Sequence, residues 1–309
     1  MYSDDVEFEK ISDARILSYG GKELRGTTRS LHEIPGYPEL IMKKAVNSPL
    51  VNWTEHLMYK WCGERGNDLP LAKVESISKT GKYLVMERLC TARPPSIPEF
   101  GPPWLTDRKT DAFRTDSTGT LKICDYGSVN LGSYIGTEQY LDEGANNPLY
   151  RSCDALDDGC YAQLRGDRIS TDDHRDVFKC KVDETKVVIE ATGSYLENAI
   201  EFLIYTSLLR ANATQLCFFP AFEISASGRY IVAENLTSWD AVKPTAVHGI
   251  PEWLTNSVRT LRTDGAGKFK IESWGSTDLT PVLKSVRDVR YHGVPVPLTT
   301  GPKKISLEP

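Results

Sequence analysis

The sequence predicts an α+β protein made of two tandem copies of one module, each an antiparallel sheet with one main helix. Three observations carry that expectation. The octapeptide Leu121–Ser128, LKICDYGS, returns as Phe269–Ser276, FKIESWGS. Upstream stand Trp104-Leu105-Thr106-Asp107 and Trp253-Leu254-Thr255-Asn256, each followed by an Arg-Thr-Asp, at Arg114–Asp116 and Arg262–Asp264. Farther back, Gly81–Leu89 matches Gly228–Leu236, and Glu55–Tyr59 matches Glu201–Tyr205. An ordered series of matches at a nearly constant offset marks internal duplication, and each copy is then about 140 residues long, an ordinary domain size. The shared residues are mostly apolar or turn-forming, so duplication has kept fold more faithfully than chemistry.

Residues 1–138 are assigned to module one and 151–285 to module two, with a linker at 139–150 and an extended tail at 286–309. A chain of 309 residues that is 40% hydrophobic can build two cores. No apolar run approaches the ~18 residues of a membrane span. The acidic N-terminus, MYSDDVEFEK, lacks the basic and apolar regions of a secretory signal. Seven cysteines, none in a CxxC pair, read as a reduced cytosolic thiol population. A net charge of −5 without a basic run argues against a nucleic-acid partner, and the five histidines have no metal-like spacing.

In module one, Arg29–Ile34 and Glu39–Lys44 read as a hairpin turned by Pro35-Gly36-Tyr37-Pro38, because proline and glycine punctuate strands. Gly20-Gly21 has no GxGxxG spacing and reads as a flexible turn. A helix is expected from Asn52 to Cys62, with Asn52 as N-cap and Glu55 three residues on in capping-box spacing. Leu57, Met58 and Trp61 form its apolar side. Its counterpart in module two runs from Ser194 to about Ala211. Strands at Leu71–Ser78 and Lys82–Leu89 follow, joined by Lys79-Thr80-Gly81. Pro94, Pro95, Pro98, Pro102 and Pro103 then exclude a helix, and that segment reads as extended. A strand near Phe113, a turn at Ser117-Thr118-Gly119 and a strand through Leu121–Cys124 form a second hairpin. Trp104 and Trp253 read as packing anchors, and Leu279–Val289 as a short helix.

This order of hairpin, helix, two strands, acidic residue, aspartate loop, hairpin and Asp-aromatic-Gly resembles the protein-kinase-like fold. It is most similar to small kinase-like proteins encoded by bacteriophages, a likeness carried by Ile34-Pro35-Gly36-Tyr37-Pro38 and Asp125-Tyr126-Gly127. The resemblance implies a role for each matching residue. Lys44, with Lys43 as competitor, would grip nucleotide phosphates, and Glu55 would hold that lysine. Glu87 to Leu89 would be the hinge that meets an adenine through its backbone. Asp107 and Lys109 would be the catalytic-loop pair, and Asp125 the magnesium ligand, with Tyr126 replacing phenylalanine. It implies ATP and Mg2+ in module one and no cofactor in module two.

The departures point away from catalysis. Ala112 stands where a kinase places its second metal-binding asparagine. Only about fifteen residues separate Leu89 from Leu105, too few for the helices of a substrate lobe, so the helical lobe is largely missing. Module two carries Glu190, Asn256 and Ser273 at the positions of Lys44, Asp107 and Asp125. Taken from sequence alone, Glu55 also has a structural reading as a helix cap, and Lys109 as a solvated loop charge. The expected function is a pseudokinase-like binding or adaptor protein acting through contacts with a protein partner, without nucleic acid or membrane. It would work in the cytoplasm, that of an infected bacterium if the chain is phage-encoded. The alternatives are a phosphotransferase with module one catalytic and a virion or assembly component.

Overall fold

Among the described residues every sheet of the computed structural model is antiparallel and helices are few, an α+β arrangement. The structure describes residues 12–24, 29–46, 48–63, 65–66, 69–90, 104–105, 110–129, 131, 157–171, 173–210, 220–242, 260–264, 269–273 and 279. The expected linker, the proline-rich segment, the helix at 279–289 beyond Leu279, the C-terminal tail and Trp253 lie outside them.

The first half runs α1 (Asp13–Leu17), β1 (Glu23–Leu24), β2 (Arg29–Glu33), β3 (Leu40–Ala45), α2 (Leu50–Cys62), β4 (Arg65–Gly66), β5 (Leu69–Pro70), β6 (Val74–Ile77), β7 (Tyr83–Glu87), β8 (Phe113–Thr115) and β9 (Leu121–Ile123). The second half runs α3 (Asp158–Leu164), β10 (Arg165–Thr171), β11 (Arg175–Cys180), β12 (Lys186–Ala191), α4 (Leu196–Arg210), β13 (Ala221–Ile224), β14 (Tyr230–Glu234), β15 (Asp240–Val242), β16 (Thr260–Thr263) and β17 (Phe269–Ser273). Two five-stranded sheets result, in the orders β1-β2-β3-β7-β6 and β10-β11-β12-β14-β13. The orders correspond position for position. Registers correspond too: Arg29 sits opposite Ala45 as Arg175 sits opposite Ala191.

Side chains that fasten each sheet to its helix also recur. The Asn52 amide, from inside α2, donates to the carbonyls of Gly81 and Lys82 at 2.9 and 3.1 Å. The Asn198 amide of α4 does the same to Gly228 and Arg229, at 3.1 and 2.9 Å. In each turn a serine hydroxyl accepts from a tyrosine N–H, Ser78 from Tyr83 and Ser225 from Tyr230, both at 3.1 Å. A carboxylate at the start of each short helix accepts the next turn's hydroxyl, Asp13 from Thr80 and Asp158 from Ser227.

The helix start corrects the sequence reading. α2 begins at Leu50 with Pro49 as N-cap, so Asn52 is an interior residue holding the β6–β7 turn, not a cap. Gly20 and Gly21 are close-approach positions rather than a flexible turn: a Cβ on Gly20 would lie 2.5 Å from Met42 Cε, and one on Gly21 2.9 Å from Pro35 Cγ.

Strand alternation divides each sheet into two faces. In the first sheet, Met42, Tyr83 and Val85 turn toward Ile16 of α1, while Leu84 and Met86 turn toward Leu57 and Trp61 of α2. In the second, Val188, Tyr230 and Val232 face Tyr161 of α3, and Val187, Ile189, Ile231 and Ala233 join the main core. That main core is continuous across both halves. Trp53 of α2 is wedged against Gly81 and lies 3.7 Å from where a Gly228 Cβ would stand, and Lys79 lies over the Tyr195 ring.

Candidate functional site

Lys43 and Lys44 are consecutive on β3, so only one can share the face of α2. Met42 lies against α1, which places Lys44 on that same face and Lys43 on the other. Lys43 is therefore the lysine that meets Glu55: its Nζ donates to the two carboxylate oxygens at 3.0 and 2.9 Å, and to the Cys124 carbonyl at 2.7 Å. The expectation that Lys44 fills this role gives way to its competitor. In the second half Ile189 takes the place of Lys43 and Glu190 that of Lys44, where Glu190 is held by Arg165, Arg229 and Tyr230.

Glu55 is fully buried in α2 and is not a cap. A carboxylate with no exposure needs partners for its charge and lone pairs. It has them in Lys43, in the Tyr126 backbone N–H at 3.1 Å and in Arg29 of β2, whose Nη1 lies 2.7 Å from Oε2. Arg29 is the functional residue that sequence reading passed over. Its Nη2 donates to Glu55 Oε1 at 3.1 Å and also pairs with Asp125, tying the helix, the first sheet and the end of β9 together. The signal was available, since Arg175 recurs opposite Ala191 and pairs with Glu201 at 2.8 Å.

The Asp125-Tyr126-Gly127 motif divides by physical role. Tyr126 is buried and donates its hydroxyl to the Ala72 carbonyl at 2.7 Å; burial first, then the Glu55 charge, pushes its phenol well above the ordinary value. Gly127 lets the chain touch α2, because a Cβ there would lie 2.5 Å from Val51 Cγ2 and 2.8 Å from its carbonyl oxygen. Asp125 alone reaches outward, with half of its side chain exposed. Beside it the Cys124 thiol is pushed up to about 11, chiefly by burial, which leaves it protonated at neutral pH.

Arg29, Lys43 and Asp125 form one end of a cleft of about 370 Å3. The rest of its lining carries apolar side chains, Leu31, Ile41, Met86 and Leu89 among them, together with the charged Glu87, Arg88, Asp111 and Arg114. An apolar body with a few convergent polar groups is the usual form of a small-molecule site. Of the implied site residues, the cleft brings together Glu87, Leu89 and Asp125, with Glu55 lying directly behind Lys43. Glu87 binds Lys122 through both carboxylate oxygens, at 2.6 and 2.8 Å, and the pair recurs as Glu234 and Lys270, so its carboxylate serves the fold. Asp107 and Lys109 lie outside the described residues. Asp111 lines the cleft and accepts from Arg114 at 3.4 Å.

The donor set suits phosphate oxygens better than a metal ion. Two buried cations, Arg29 and Lys43, stand beside Asp125, and both carboxylates exposed in the cleft already have a guanidinium: Asp125 that of Arg29 and Asp111 that of Arg114. Among the described residues no group of three or more His, Cys, Asp or Glu side chains is placed to hold a metal ion, and no helix is long and apolar enough to cross a membrane. No protein family, curated protein or solved structure significantly matches the chain, so its chemistry is argued from this cleft.

Proposed function

We propose that the chain is a pair of degenerate kinase-like modules, of the kind bacteriophages encode, that works in the cytoplasm as a binding or adaptor protein rather than as a phosphotransferase. The observation that carries this reading is the pairing of Arg29 with both Glu55 and Asp125. Phosphoryl transfer needs a carboxylate free to position a metal and neutralise the transferred group, and here that carboxylate already has a cation. The cleft of module one would still take a nucleotide, with its base against Leu31, Ile41 and Met86 and its phosphates toward Lys43 and Arg29. Module two has Ile189 in place of Lys43 and would take none. Two linked modules sharing one core offer a protein partner two adjoining surfaces, which raises avidity without new contacts.

The second reading, a phosphotransferase with module one catalytic, is favoured by the convergence of Lys43, Glu55 and Asp125. Incubation with labelled ATP and magnesium separates the two. The expected result is no labelling of the protein or of host-extract proteins above that of Asp125→Ala. Labelling that vanishes in Asp125→Ala and survives Ser273→Ala establishes an enzyme instead.

A further inference from the structure

The guanidinium of Arg29 pairs with Asp125, the residue that the kinase resemblance would make a metal ligand. In the second half the equivalent Arg175 pairs with Glu201 although Ile189 and Ser273 provide neither lysine nor aspartate, so the arginine–glutamate pair belongs to the fold. In the first half Lys43 also claims Glu55. Arg29 then shares its second amine between Glu55 and Asp125, and the cluster holds two cations against two carboxylates. Of the four groups, Arg29, Lys43 and Glu55 are buried and only Asp125 is half exposed.

Resting on the nucleotide reading of this cleft, we infer that its charged end binds a nucleotide polyphosphate without a divalent cation, Arg29 supplying the positive charge that a metal would bring. A divalent ion approaching Asp125 meets a carboxylate already paired and two buried like charges behind it, an unfavourable arrangement in a partly desolvated site. A polyphosphate meets the reverse. Its oxygens take over the Arg29 amine that Asp125 holds, and the half-exposed Asp125 carboxylate turns toward water. Guanidinium and phosphate oxygens match in geometry as well as charge. Asp125 is thus a competitor of the ligand, whereas in a metal-dependent site it would be the ligand's anchor.

The two arrangements assign opposite signs to one substitution. Binding of ATP to the full chain is measured by calorimetry in excess EDTA and again in excess magnesium, for the wild type and for Asp125→Asn. The expected result is binding in EDTA at least as tight as in magnesium, and several-fold tighter for Asp125→Asn in EDTA. Binding that requires magnesium and is lost in Asp125→Asn overturns the inference while leaving the nucleotide reading intact. No binding in either condition overturns both. The wild-type comparison of EDTA with magnesium decides the matter even if Asp125→Asn does not fold.

Discussion

Replacing Glu55 by glutamine removes one charge and almost no volume, yet it should be among the most damaging single changes in the first half. The carboxylate is wholly buried, and Lys43 and Arg29, both buried, rely on it. Removing one partner of a buried ion pair costs about 3–5 kcal/mol, because the remaining charge stays desolvated and uncompensated. Asp125 can offset only part of this, being half exposed and bonded to Arg29 alone of the two cations. For a cooperative unit of this size each kcal/mol lowers Tm by about 2–4 °C, so a fall of roughly 10 °C is expected. Lys44→Met, on the opposite face of the same strand, should stay within about 0.5 kcal/mol. Urea unfolding followed by tryptophan fluorescence reads both, since Trp53 and Trp61 lie in α2 beside Glu55. Equal losses for Glu55→Gln and Lys44→Met, or a larger loss for Lys44→Met, would refute the assignment of faces on β3.

Four further outcomes follow from the same geometry. Gly81→Ala should destabilise far more than Gly119→Ala in urea titrations: both glycines have positive φ, but a Cβ on Gly81 would lie 2.3 Å from Trp53 Nε1 whereas Gly119 faces open space. Asn52→Ala and Asn198→Ala should each cost about 1–3 kcal/mol by taking the amide from the Gly81 or Gly228 carbonyl, while the Lys82 and Arg229 carbonyls keep the N–H of Ala45 and Ala191, and a loss in only one variant would contradict the equivalence of the two turns. Burial works to lower the Lys122 pKa, but hydrogen bonds and charge from Glu87 and Asp116 carry it above its ordinary value of 10.5. A raised folded-state pKa gives stability that is complete below the ordinary value and lost as pH rises through the raised one, so Lys122→Met should lose more stability at about pH 8 than at about pH 11, and equal losses would count against it. The Cys124 thiol, raised to about 11, should alkylate far more slowly than free cysteine at about pH 8, as mass spectrometry of the labelled peptide will read.

The elements legible in the sequence were those with a local signal. The hairpin of β2 and β3 was marked by Pro35 and Gly36, and β8 and β9 by the turn at Gly119, whose φ is +84°. Matching residues in the two halves anticipated the shared strand order, because the matches fell on turn and core positions such as Gly81, Gly228, Leu84 and Ile231. The choice between Lys43 and Lys44 could not be made, because Leu40-Ile41-Met42 is apolar on both faces and carries no period of two. The second half carries the distinction, with Ile189 at the position of Lys43 in the main core and Glu190 at that of Lys44 on the opposite face. Arg29 was missed because a strand-opening arginine usually reads as surface charge, and its partners lie 26 and 96 positions away. Asn52 was misread because Asn-x-x-Glu imitates a capping box, while the helix starts earlier at a proline and spends both residues on tertiary bonds.

The measurement that tests the account most directly is calorimetric titration of ATP, in EDTA, into the wild type, Lys43→Met and Lys44→Met. One nucleotide per chain is expected, lost in Lys43→Met and kept in Lys44→Met. Two nucleotides per chain, dependence on Lys44 rather than Lys43, or no binding to the wild type would contradict it.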